Sequence, residues 1–78
     1  MMDPNEVQKL VTQGFPAAEV TVSDMTGTQD HFEVTVFWEG FREKSLIQQH
    51  QMVHKALAAA LEDGRIHAVK IKTFAPEA

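Results

Sequence analysis

HFEVTVFWEGFREKSLIQQHQMVHKALAAAL, residues 31–61, changes its hydrophobic period part-way along. Phe32, Val34, Val36 and Trp38 alternate with Glu33, Thr35 and Phe37, the pattern of a strand with one buried face. Glu39-Gly40 interrupts it. From Ser45 the spacing becomes helical: Leu46, Val53, Leu57, Ala60 and Leu61 share one stripe, and Ala56–Ala60 is nearly all alanine. Ser45 with Gln48 three residues on forms a capping box, and Gly64 is a natural stop. The stretch therefore predicts a strand followed by a helix over about residues 46–62.

Working outward, residues 4–13 read as a first helix. Asp3 can cap it, Pro4 suits its first turn, Glu6 completes a capping box, and Val7, Leu10 and Val11 make a narrow apolar stripe. Gly14 and Pro16 end it. Ala18, Val20 and Val22 alternate with polar residues and predict a strand that pairs with residues 32–38 as a hairpin. Residues 24–30, rich in turn formers, connect the two. Residues 66–74 give a last strand, in which Val69, Ile71 and Thr73 alternate with Ala68, Lys70, Lys72 and Phe74. The expected fold is a single small α/β (α+β) domain over residues 1–78. Its order is αββαβ, with a three-stranded mixed sheet and both helices on one face.

Composition narrows the function. The 78 residues contain no cysteine, so neither a disulfide nor a thiolate site holds the fold. Residues 1–43 hold eight acids against two bases and residues 44–78 three against five, about −6 and +2, which gives the net −4. Overall acidity argues against strong nucleic-acid binding, while the basic second half leaves room for a local patch from Lys55, Arg65, Lys70 and Lys72. No apolar run reaches membrane-spanning length, and the N-terminus lacks the basic and apolar regions of a signal peptide; a cytoplasmic protein is expected. Gly14, Gly27, Gly40 and Gly64 are scattered as element ends, with no phosphate-cradling loop. No nucleophile motif appears, the acids read as solvated surface groups, and the chain is short for enclosing a reaction pocket, so an enzyme is not expected.

The four histidines carry the remaining chemistry. His50 falls on the helical stripe between Leu46 and Val53 and reads as a packing residue. His54 is one turn on, a known metal-binding spacing, but no Glu follows His50 and no third ligand is near in sequence. His67 opens the last strand, just beyond the Gly64 turn. His31 stands where the hairpin loop enters the second strand. Phe37, Trp38 and Phe41 crowd the strand end; exposed together they would mark an interface, so a homodimer stays open.

Three segments in order resemble the BolA-like family: residues 41–57 resemble its helix signature, His31-Phe32-Glu33-Val34 the start of its second strand, and Arg65-Ile66-His67-Ala68-Val69-Lys70-Ile71-Lys72-Thr73 with Pro76 its C-terminal segment. Together they cover almost the whole chain. The resemblance implies a fold similar to a type II KH domain, with a short extra helical turn near residues 42–44. It also implies partnership with a monothiol glutaredoxin in iron or redox regulation or cluster trafficking. The partners would share a [2Fe–2S] cluster, with none expected in the isolated protein. The resemblance makes His67 one ligand and a cysteine or histidine of the hairpin loop the other. Residues 24–30 contain neither, so His31, at the loop's end, is the candidate. The alternative is a DNA-binding transcription regulator, although no Gly-x-x-Gly clamp of the KH type is present.

Overall fold

The structure, a computed structural model, describes residues 3–25, 27 and 31–76. The elements are α1 (Pro4–Gly14), β1 (Glu19–Asp24), β2 (His31–Phe37), a 3₁₀ turn (Glu39–Phe41), α2 (Leu46–Ala56), α3 (Ala58–Glu62) and β3 (Ala68–Phe74). Both capping boxes form as the sequence predicts. The Asp3 carboxylate accepts from the Asn5 N–H at 2.8 Å, and the Gln48 N–H donates to the Ser45 hydroxyl at 3.2 Å. The hairpin strands also fall where alternation puts them. Residues 26 and 28–30 of the expected connecting loop lie outside the described residues.

The sheet order is β1-β2-β3, with β1 antiparallel and β3 parallel to the central β2. Val20, Phe32, Val34 and Val36 face the core with Val7, Val11, Phe15, Phe41, Val53, Leu57, Ala60 and Ile66. The helices cover that face, α1 against β1 and α2 against β3. The other face stays open. It carries Glu33, Thr35 and Phe37 of β2 beside Lys70, Lys72 and Phe74 of β3, joined by a Lys72–Glu33 ion pair at 3.2 Å. No described helix is long and apolar enough to cross a membrane.

Four expectations need correction. The helix over 46–62 is two helices, broken at Leu57, whose backbone (φ −104°, ψ 3°) leaves the helical region. Leu57 is fully buried, and no glycine or proline marks the break. Leu46 is not on the core stripe: it is 62% exposed beside the 71% exposed Ile47, because the first turn of α2 overhangs the core. The extra helical turn forms at Glu39–Phe41 rather than 42–44, anchored by the fully buried Phe41. Strand β3 starts at Ala68, not residue 66; Ile66 is instead a buried anchor, its N–H donating to the Ala60 carbonyl at 3.1 Å.

The aromatic residues divide. Phe15, Trp38 and Phe41 meet edge to face, with ring centres 5.0–5.5 Å apart, while Phe37 stacks on Phe74 on the open face. Ala17, in the loop between α1 and β1, has φ 66°, a left-handed conformation that costs a side chain roughly 1–2 kcal/mol. Ala17→Gly removes that strain but widens the unfolded ensemble. The expected result is a gain of about 0.5 kcal/mol in urea unfolding, opposite in sign to the usual cost of glycine. A loss of about 1 kcal/mol would contradict the strain argument.

Candidate metal centre

His31 and His67 are 36 residues apart in sequence, and the parallel pairing of β2 with β3 brings them together. His31 lies opposite Ala68, the residue after His67. The rings meet edge to face with centres 5.9 Å apart and planes at 89°. Two imidazoles sharing one metal, each bonded at about 2.1 Å, have ring centres roughly 4.5–5.5 Å apart, so a small side-chain adjustment brings this pair onto a common ion.

Each histidine is held from behind by its own segment. For His31, the hairpin pairing runs through Asp24–Phe32 and one step beyond, where the Met25 N–H donates to the His31 carbonyl at 2.8 Å. The Asp24 carboxylate accepts from the Gly27 N–H at 2.9 Å, and Gly27 takes φ 75°, which turns the chain at the hairpin mouth. Phe32, fully buried, fixes the side of the sheet from which His31 projects, and the His31 side chain is half-buried. For His67, the Ile66 anchor precedes it and the β3 ladder follows, so an exposed side chain rides on a backbone fixed on both sides.

Among the described residues no group of three or more His, Cys, Asp or Glu could hold a metal ion. The donor set here is two imidazoles at an exposed edge. That fits half of a metal centre whose other ligands come from elsewhere, as a bridging cluster requires. His50 and His54 do not join it: they line a separate groove with Gln51, Val69 and Ile71. His50 is thus half-buried beside β3, not a core-packing residue. The four cations named as a nucleic-acid patch also spread out, with Lys70 and Lys72 on the open face, Lys55 on α2 and Arg65 paired with Asp63 at 2.8 Å.

The family model for BolA-like protein matches residues 11–78. The chain belongs to the BolA-like family. The acid stress protein IbaG of Escherichia coli K12 is 36% identical over 75 residues, spanning 96% of this chain and 86% of that protein. An uncharacterised protein of Rickettsia prowazekii is 33% identical over 69 residues, 88% of each chain. Its NMR structure, described as BolA-like, superposes with a TM-score of 0.74 at 30% identity, covering 97% of both chains. BolA1 from Arabidopsis thaliana shares the fold, with a TM-score of 0.83 at 21% identity over 97% of this chain and 95% of that one. The BolA-like fold is the small α+β domain with a mixed three-stranded sheet described above.

Spacing alone could not single out His31 and His67, since a hairpin, two helices and a parallel strand lie between or around them. Pairing register is the signal that joins them. The resemblance of the C-terminal segment pointed to His67 directly.

Proposed function

We propose that this BolA-like chain is a non-catalytic adaptor that binds a monothiol glutaredoxin and shares a [2Fe–2S] cluster with it, in iron or redox regulation or cluster trafficking. Its own ligands are the imidazoles of His67 and His31. The observation that supports this most is the 5.9 Å approach of those two rings at an exposed sheet end. With no third ligand in reach among the described residues, the pair is suited to completing a centre and not to enclosing one. The cluster supplies electron-transfer chemistry. The chain supplies two nitrogen donors, a geometry fixed by backbone on both sides, and an adjoining open face for the partner to cover. Histidine in place of thiolate at such a cluster raises its reduction potential.

The nucleic-acid alternative draws less support, because Lys55 on α2 and Arg65, paired with Asp63, lie apart from Lys70 and Lys72 on β3, and Lys72 is engaged with Glu33.

The test is titration with a cluster-loaded monothiol glutaredoxin, followed by visible absorption and circular dichroism. The expected result is a new dichroic spectrum that saturates at one chain per glutaredoxin subunit. A spectrum that remains the sum of the separate components rejects the reading.

A further inference from the structure

A second pair of imidazoles lies on the helix-covered side of the sheet. His50 and His54 are one turn apart on α2, and residues at that spacing are neighbours on a helical face. Both line one shallow groove of about 270 Å³, with Gln51 from α2 and with Val69 and Ile71 from β3. His50 is half-buried and His54 exposed. Among the described residues, neither ring takes part in a hydrogen bond, an ion pair or a ring contact. These two donors are therefore not consumed by the fold.

We propose that His50 and His54 form a two-point chelate for a late first-row divalent transition-metal ion such as nickel, copper or zinc. The class follows from the donors. Neutral imidazole suits these borderline cations, and no carboxylate lines the groove to favour a hard ion such as calcium or magnesium. Two nitrogens from one helix hold adjacent coordination positions, and water fills the rest. The spacing is that of the two histidines in HExxH metal sites, here without the intervening Glu.

The arrangement is largely preorganised. The Ser45–Gln48 capping box fixes the start of α2. Gln49, between the box and the pair, ties α2 to its surroundings: its amide donates to the Lys44 carbonyl at 2.9 Å and its carbonyl accepts from the Thr73 hydroxyl at 2.6 Å. The apolar side chains of Val69 and Ile71 wall the groove on the β3 side. This site is separate from the His31–His67 pair: neither of those residues lines the groove, and His31 projects from the open face whereas Val69 and Ile71 lie on the helix-covered one.

The experiment titrates nickel(II) into the folded protein by calorimetry in a His67→Ala background, which removes the first imidazole pair. One nickel ion is expected to bind. Adding His50→Gln or His54→Gln should weaken binding at least tenfold, and far-ultraviolet circular dichroism checks that each variant remains folded. In parallel, paramagnetic nickel should selectively broaden the NMR signals of residues 50–54, Val69 and Ile71. No binding in the His67→Ala protein, equal affinity after either glutamine substitution, or broadening elsewhere overturns the assignment.

Discussion

His67→Ala is expected to abolish the dichroic spectrum proposed to form with cluster-loaded glutaredoxin, leaving the glutaredoxin's own. The side chain is exposed, so the unfolding midpoint should move little, within about 0.5 kcal/mol. That separates loss of a ligand from loss of the fold. His67→Cys gives a further test. A thiolate still ligates iron, so the cluster should persist with an altered spectrum, and its reduction potential should fall by roughly 100 mV or more. His31→Ala should give a weaker and more labile spectrum, because its ring sits beside His67 but on the flank of the hairpin. A His67→Ala spectrum superimposable on that of the unaltered protein removes His67 from the centre.

The second large effect concerns Gly40. In an ordinary helical turn alanine is favoured over glycine by up to about 1 kcal/mol. Here the sign inverts. A Cβ on Gly40 would collide with three carbons, Cη2, Cζ3 and Cζ2, of the six-membered ring of the Trp38 indole. Trp38 cannot easily yield. Its Nε1–H donates to the Pro16 carbonyl at 3.0 Å, and its ring meets Phe15 and Phe41 edge to face. Each aromatic pair is worth about 0.5–1.5 kcal/mol beyond its burial and the hydrogen bond about 1 kcal/mol. Gly40→Ala should therefore destabilise by about 3 kcal/mol and lower the thermal midpoint by roughly 10–20 °C. In a Trp38→Phe background the smaller ring leaves room, so the same change should cost far less. Equal costs in both backgrounds, or a midpoint within a few degrees of the unaltered protein, would show that the indole does not set the constraint.

Local rules made much of this fold legible. Asp3, Pro4 and Glu6 announce α1, Ser45 and Gln48 announce α2, and the period of two from Phe32 to Phe37 marks β2. The misreadings have tertiary causes. Leu46 has helical spacing but lies beyond the reach of the core. Leu57 ends α2 because the core takes its side chain, and an alanine-rich stretch carries no sign of that. His50 falls on the apolar period yet meets only the rim of β3. The candidate centre was half legible. The resemblance of residues 65–73 marked His67. Its meeting with His31 depends on strand register, which no local pattern encodes.

The parallel contact between β2 and β3 also has a kinetic side. Parallel partners are joined by a long connection, and such non-local pairings form late because the intervening loop must close first. As the chain leaves the ribosome, the N-terminal hairpin can assemble while β3 is still unmade. His31 therefore waits without its companion until the final strand docks. A nascent chain offers at most one of the two proposed ligands at this edge until β3 is in place.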